Sequence, residues 1–240
     1  MVTFYANIQK PKVIIAPSDP FFSNVVFLSS FEGADASTTF TDSSNSSRTI
    51  TGFGNAQLDT DQFPTGQTSS LLLDGNGDYL RTPDSPANLD LGSNDFCMEF
   101  FLRFNGAPNN AGFLCRGSST PTGQWQLIWN NDLGIFRFMD GGDFGSFNAS
   151  WSPSASTWYH IAFTRSGNTW RWFIDGIQLG GSFTDSRTLS TGSQDLYIGT
   201  FSDFYAPYFL NGHLGPIRIT NGNARYTTNF SVPTLPFPTS

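Results

Sequence analysis

The chain has 240 residues, a length typical of one large all-β domain or of two small domains. Charged residues make up only 13% of it and the formal net charge is −7, so it lacks the Lys and Arg clusters that bind duplex DNA or an anionic membrane. No run of about 18 apolar residues occurs, which excludes a membrane-spanning helix. We therefore expect no nucleic-acid partner and no membrane insertion.

Low charge and 25 Phe residues favour a large core and a homo-oligomer or larger assembly.

The first 23 residues differ from the rest of the chain. Pro11, Pro17 and Pro20 are spaced so that no central strand can form through them. We therefore predict an extended N-terminal arm at residues 1–23, followed by one domain at residues 24–240. The start also lacks a basic region followed by an apolar stretch and a small-residue cleavage site, so we expect no signal peptide.

Short apolar segments bounded by turn residues follow in close succession, and no window shows helical periodicity. The segment FCMEFFLRF alternates strictly, with Phe96, Met98 and Phe100 on one face and Cys97 and Glu99 on the other. The other predicted strands are NVVFLSSF, SSLLLDG, WQLIWN, GIFRFMD, WYHIAFTR, WRWFIDG, DLYIG and PIRIT. Strands at this density without intervening helices predict an all-β fold, an antiparallel two-sheet sandwich.

Residues 156–181 contain three of the six tryptophans and one of the two histidines. The pattern predicts two strands around a four-residue turn, RSGN, and a second hairpin at Asp175-Gly176. We interpret this meander as scaffold, with Trp158 and Phe173 in the core. His160 lies in mid-strand with no second His, Cys or paired carboxylate at ligand spacing, so we predict a satisfied strand histidine rather than a catalytic one. We expect its removal to cost little stability and to change no binding.

Several segments resemble the concanavalin A-like, laminin-G-type jelly-roll domains. The segment from Trp158 to Gly176 is similar to their Trp-x-His strand and Asp-Gly hairpin, and LLLDGNGDYL is similar to an Asp-Gly-x-Gly-Asp-Tyr-Leu turn. The resemblance covers residues 24–237 and implies a jelly-roll sandwich of the concanavalin A-like lectin/glucanase type.

The C-terminal run GHLGPIRITNGNARYTTNFSVPTLPFP is similar to the end of jelly-roll domains in tailed-bacteriophage structural proteins. That resemblance implies a capsid-decorating or tail-associated virion protein, assembled in the host cytoplasm and bound to other virion subunits. The alternative is a module that recognises a host cell-surface carbohydrate. Trp and Tyr side chains stack on sugar rings, so Trp125, Trp151 and Tyr205 are the candidates for that role if they are exposed.

The resemblance also bears on metal binding. Related sandwiches bind a structural calcium through an acid of the first strand and an Ile-Asp-Glu segment, whereas this chain has Glu32, the later acid Asp42, and Leu214-Gly215-Pro216. Calcium takes six to eight oxygen ligands, and Glu32 alone is a poor cage. We therefore expect no cofactor and assign no metal ligand, with a structural calcium as the alternative.

An enzymatic function is not expected. Glycoside hydrolases need two carboxylates about 5–10 Å apart, whereas the chain has only Glu32 and Glu99, each without an acidic neighbour on its face. Hydrolase and nucleotide-binding motifs such as Gly-x-Ser-x-Gly, the Walker loop and HExxH do not occur. We assign no catalytic or cofactor-binding residue.

Two cysteines, Cys97 and Cys115, are too few for a disulfide framework. We expect their strands to be neighbours in one sheet, as in the resembled fold. We also expect both thiols to be free, because a virion protein made in the cytosol is kept reduced.

Overall fold

The computed structural model describes residues 18–117, 125–141, 143–202 and 207–240. Within them the only helix is a single 3-10 turn, Phe22–Asn24, and the remaining regular structure is β-strand. An eight-stranded sheet has the order β13-β12-β11-β6-β17-β4-β3, with β1 added beside β17; a seven-stranded sheet has the order β10-β9-β8-β7-β14-β5-β2; and β15 pairs with β16. The predicted all-β, two-sheet antiparallel sandwich is confirmed.

The strands are bounded as follows: β1 Val25–Ser29, β2 Thr51–Phe53, β3 Gln57–Asp59, β4 Ser70–Asp74, β5 Tyr79–Thr82, β6 Phe96–Phe104, β7 Ala111–Arg116, β8 Trp125–Asn130, β9 Ile135–Asp140, β10 Asp143–Ser150, β11 Tyr159–Ser166, β12 Thr169–Ile174, β13 Ile177–Thr184, β14 Leu196–Ile198, β15 Thr200–Ser202, β16 Pro207–Phe209 and β17 Asn211–Asn221. Every pairing is antiparallel.

The main core lies between the two sheets. Strand β6 shows why: Phe96, Met98 and Phe100 point inward as the alternation predicts, since successive side chains of a strand lie on opposite faces. Trp170 and Trp172 of β12 also point into this core and are fully buried. Ring pairs such as Phe96–Phe138 and Phe136–Trp172 connect the two sheets.

Two short turns set the register of the meander from β11 to β13. The first contains only Gly167 and Asn168, because β11 and β12 extend further than the predicted four-residue turn allowed. The second is the predicted Asp175-Gly176 turn, where φ is +49° and +77°. Positive φ at both positions is the requirement of a type I′ hairpin.

The C-terminal segment after β17 covers the outer face of the eight-stranded sheet. The backbone N–H of Phe230 donates to the carbonyl of Gly176, and the Thr164 hydroxyl donates to the carbonyl of Tyr226. Phe173 lies beneath the Phe230 ring, 5.3 Å from it between centroids. Phe173 is therefore fully buried, but by this segment rather than by the opposite sheet.

Trp158 does not belong to the main core, contrary to prediction. It precedes β11, is half-buried, and packs against a small outer cluster that contains Phe101 and Phe237. Side chains alternate along β11, and its inward positions are taken by Ile161 and Phe163, whose parity is opposite to that of Trp158.

The cysteines do not lie on neighbouring strands, which corrects the prediction. Cys97 belongs to β6 of the eight-stranded sheet and Cys115 to β7 of the seven-stranded sheet. Cys97 lies on the same side of its strand as Glu99, and Cys115 packs with Ile128 and Met139 in an outer cluster. The two buried thiols therefore lie on the outer sides of different sheets. Both cysteines are free.

Most of the predicted N-terminal arm, residues 1–17, lies outside the described residues. The described end of this region packs against the sheet. Asp19 accepts hydrogen bonds from Arg218 and Arg225, and its backbone N–H donates to the carbonyl of Ser240. The start of the described chain is thereby fixed to its C-terminus.

Candidate binding face

The outer faces of the two sheets differ in how their polar groups are satisfied. On the eight-stranded sheet, Glu99 is fully buried and accepts hydrogen bonds from Arg218 at 2.8 Å and from the Tyr226 hydroxyl at 2.8 Å. His160 Nε2 lies 3.1 Å from the second carboxylate oxygen, Oε2. Arg225 and Asp19 extend this network toward the surface.

The charges of this network support one another. Burial alone would raise the pKa of Glu99, but Arg218, His160 and Arg225 lower the pKa to about 2. Burial, followed by the Glu99 charge, raises the pKa of the Tyr226 hydroxyl well above its ordinary range, so Tyr226 remains a donor. The C-terminal segment closes over this network. The geometry is that of a structural joint.

The outer face of the seven-stranded sheet is organised by the β15–β16 hairpin, which lies across β7. A Cβ atom on Gly112 of β7 would lie 2.3 Å from the carbonyl oxygen of Thr200 in β15. Only glycine therefore permits this approach of the two backbones. The hairpin brings Phe201 and Tyr208 over the sheet, where the two rings stack at 6.0 Å.

A row of half-buried aromatic side chains lies on the same face, across β2, β5 and β14. Phe53 and Tyr79 stack at 4.5 Å with an interplanar angle of 4°, and Tyr197 lies 6.0 Å from Tyr79. Phe209 of the hairpin joins this row at 6.3 Å from Tyr79. We call Phe53, Tyr79, Tyr197 and Phe209 the aromatic row.

On the other side of the hairpin, strands β8, β9 and β10 place polar side chains outward. Gln126 is fully buried, yet neither its Oε1 nor its Nε2 has a hydrogen-bond partner. Arg137 Nε and Asn148 Oδ1 are also buried without a partner, and Arg137 and Asn148 are direct cross-strand neighbours. Buried polar groups normally have partners, so these three adjacent strands each carry a side chain that lacks its usual hydrogen bonds.

A cavity of about 80 Å³ opens beside Arg137. Ile128 and Met139 form its floor, and Phe201 and Tyr208 contribute from the hairpin. The remaining lining comes from β7, β8 and the segment before β7: Asn110, Ala111, Trp129 and Asn130.

A family model described as the concanavalin A-like lectin/glucanases superfamily, Laminin_G_3, matches residues 74–225, more than half of the chain. The chain belongs to this superfamily. The recognised jelly-roll family is thereby confirmed, and the match spans β5 to β17, which include strands of both sheets.

Solved structures with the same fold are distant in sequence. Domain 4 of the GH43 extracellular arabinanase AbnA from Geobacillus stearothermophilus, in complex with arabinotriose, aligns at a TM-score of 0.60 and 17% identity, over 84% of this chain and 94% of that chain. The binding domain of botulinum neurotoxin DC, in complex with rat synaptotagmin II, aligns at 0.60 and 12%, over 83% and 48%. Trypanosoma rangeli sialidase in complex with sialic acid aligns at 0.59 and 16%, over 85% and 31%. No curated protein sequence matches the chain.

The three aromatic residues predicted to stack on a sugar have different positions in this concanavalin A-like sandwich. Trp125 is fully buried in the core, which removes it as a candidate. Trp151 is half-buried and stacks on Phe136 at 4.7 Å, and Tyr205 lies outside the described residues. Sequence reasoning missed the aromatic row because its members come from three short strands and a hairpin that the sequence pattern does not connect.

The acids considered for calcium have other partners. Asp42 accepts hydrogen bonds from the backbone N–H groups of Leu28, Ser44 and Arg48, each at 3.0 Å, and Glu32 accepts one from the N–H of Thr68 at 2.9 Å. Within residues 18–117, 125–141, 143–202 and 207–240, no group of three or more His, Cys, Asp or Glu side chains could hold a metal ion. In the same ranges no helix is long and apolar enough to span a membrane.

Proposed function

We propose that this chain is a non-enzymatic carbohydrate-binding module and that the outer face of its seven-stranded sheet takes the sugar. The observation that carries the proposal is the contrast between the two outer faces. The C-terminal segment covers one face and donates to the buried Glu99 there, whereas the other face presents the aromatic row and unpartnered polar groups. Sugars offer both apolar ring faces and many hydroxyl groups, and they suit a surface of this composition.

The carboxylates support a binding function rather than a hydrolytic one. Glu99 is fully buried and paired with Arg218, and Glu32 is hydrogen-bonded to Thr68. A hydrolase would need two carboxylates facing one substrate across about 5–10 Å. The complex of the AbnA domain with arabinotriose is consistent with a sugar ligand for this fold.

A glycan panel with two variants tests the proposal. The wild-type protein should bind at least one oligosaccharide, measured by calorimetric titration, and Tyr79→Ala and Asn148→Ala should weaken that binding. Trp158→Ala is the matched control, because Trp158 packs on the outer side of the eight-stranded sheet, away from the proposed binding face. Binding that is unchanged by both face variants, or lost only in the control, would contradict the proposed face.

We further propose, as a second candidate function, that the protein is a bacteriophage virion component that binds other virion subunits and assembles in the host cytoplasm. This proposal rests on the resemblance of the C-terminal run to the end of phage jelly-roll domains, and in this protein that run crosses the outer face of the eight-stranded sheet. Mass spectrometry of purified particles should detect the chain at constant stoichiometry after washing with salt. Its absence from intact particles would contradict this assignment without affecting carbohydrate binding.

A further inference from the structure

We propose that the cavity beside Arg137 binds the carboxylate group of an acidic sugar, such as a uronic or sialic acid residue. This inference rests on the proposed carbohydrate-binding function and specifies the chemical class of its ligand. It assigns to Arg137 the recognition of the acid group and to the surrounding face the recognition of the rest of the saccharide.

The first argument is the lack of an internal partner for Arg137. Its Nε is buried without an acceptor, and no acidic side chain in the described part of the chain forms an ion pair with its guanidinium group. Burial is the one cause that shifts its pKa, and it lowers the pKa. Every other described arginine except Arg171 has an acceptor: Arg48, Arg81, Arg103, Arg116, Arg165, Arg187, Arg218 and Arg225.

Arg137 is half-buried, and burying its Nε without an acceptor costs free energy. The chain carries more acidic than basic side chains, so an ion pair could readily have formed. An unpaired cation in such a chain is better explained by an anion supplied from outside. Guanidinium groups bind carboxylates with two parallel hydrogen bonds, a geometry that lysine lacks.

The second argument is the size and lining of the cavity. A volume of about 80 Å³ is enough for a carboxylate, since a water molecule occupies roughly 30 Å³, but too small for a whole sugar ring. Asn130 uses its Oδ1 to accept from the Leu133 N–H, and its Nδ2 has no partner among the described residues. This amide can donate a further hydrogen bond to the same anion.

The third argument is the neighbourhood of Arg137. The unpaired Oδ1 of Asn148 and the amide of Gln126 lie on the two adjacent strands of the same face. Asn148 is half-buried and could bind a hydroxyl group of a ring held outside the cavity, whereas Gln126 is fully buried. The hairpin places Tyr208 at the cavity and the next residue, Phe209, in the aromatic row. One saccharide chain could therefore contact both sites.

The test compares acids with their methyl esters, which keep the sugar and remove the charge. Calorimetric titrations use trigalacturonic acid and sialyllactose, each as the free acid and as the ester, to distinguish uronic from sialic acids. At least one free acid should bind roughly tenfold or more tightly than its ester, the range expected for hydrogen bonds between charged groups. Arg137→Gln should remove this preference, and Arg137→Lys should restore it only in part.

Arg171→Gln is the matched control, because Arg171 also has an unpaired buried nitrogen but belongs to β12 of the opposite sheet. It should leave the acid preference unchanged. Thermal unfolding of Arg137→Gln should show no loss of stability, since the variant removes an unpaired charge. Equal affinity for acid and ester in the wild-type protein, or a preference that survives Arg137→Gln, overturns the inference. If neutral oligosaccharides bind without that preference, carbohydrate binding stands alone; if no saccharide binds, both proposals fail.

Discussion

His160 and Glu99 form a buried pair on the outer face of the eight-stranded sheet, with His160 Nε2 3.1 Å from Glu99 Oε2. They lie diagonally across the adjacent strands β11 and β6, since the direct partner of His160 is Phe101. The rings of Phe101 and Phe230 flank the imidazole at 4.9 and 5.7 Å. The pair joins the sheet to the C-terminal segment, because the Tyr226 hydroxyl donates to the same carboxylate oxygen. The sequence pattern predicted a satisfied strand histidine, and the structure confirms it and identifies Glu99 as the partner.

We expect His160→Ala to destabilise the protein by roughly 1–3 kcal/mol, contrary to the small cost predicted from sequence. The substitution removes one partner of a buried carboxylate and leaves a space between two aromatic rings. Urea unfolding followed by tryptophan fluorescence would measure the loss. Thr157→Ala, at an exposed position just before the strand, serves as the control. A midpoint equal to that of the control would show that the imidazole is dispensable.

Glu99 should make stability depend on pH in the acid range. Its pKa is lowered from 4.5 to about 2 in the folded protein, so the stabilisation is complete above the unfolded value and is lost as pH falls from about 4.5 toward 2. The groups that face Glu99 are Arg218, Arg225, His160 and Tyr226. The melting temperature of the wild-type protein should therefore change little from about pH 7 to pH 5 and should fall between about pH 4.5 and pH 3.

Glu99→Gln separates this effect from general acid denaturation. The variant should lose about 3–5 kcal/mol at pH 7, because it leaves Arg218 buried with one partner fewer. It should also show a flatter dependence on pH below 4.5. A variant curve parallel to that of the wild-type protein would assign the acid sensitivity to other carboxylates.

Phe173 and Trp158 should differ in their contribution to stability, although sequence analysis placed both in the core. Phe173→Ala should cost about 3–5 kcal/mol, the usual loss for a buried aromatic side chain, because Phe173 is fully enclosed under Phe230. Trp158→Ala should cost clearly less, since Trp158 is half-buried. Differential scanning calorimetry of the two variants would give the order. A larger loss for Trp158→Ala would contradict the structure.

Gly176 is required by the C-terminal segment as well as by its own turn. A Cβ atom there would lie 2.0 Å from the carbonyl oxygen of Phe230, whereas at Gly167, which also has positive φ, nothing lies within 4 Å. Gly176→Ala should therefore cost more than Gly167→Ala, which carries only the backbone strain of about 1 kcal/mol. Limited proteolysis should also release the C-terminal segment faster from Gly176→Ala. Equal stability and equal proteolysis in the two variants would show that the segment does not depend on this contact.

The sequence alone determined the fold class and much of the strand pattern. Alternation along β6 placed Phe96, Met98 and Phe100 on the inward face, and the Asp175-Gly176 pair located a hairpin. Both features are local, because a strand repeats every two residues and a type I′ turn needs two particular residues. The family could also be recognised, since its motifs are short and contiguous.

Only the tertiary structure decided which side chains meet on each outer face. Glu99, His160, Arg218 and Tyr226 are far apart in sequence and meet only because β6, β11 and β17 are neighbours and the C-terminal segment returns over them. The cavity beside Arg137 likewise depends on the hairpin that crosses Gly112. Alternation tells which side chains share a face of one strand, but not which strands lie side by side or what covers them. Those two facts determine whether a polar group finds a partner within the chain or remains available to a ligand.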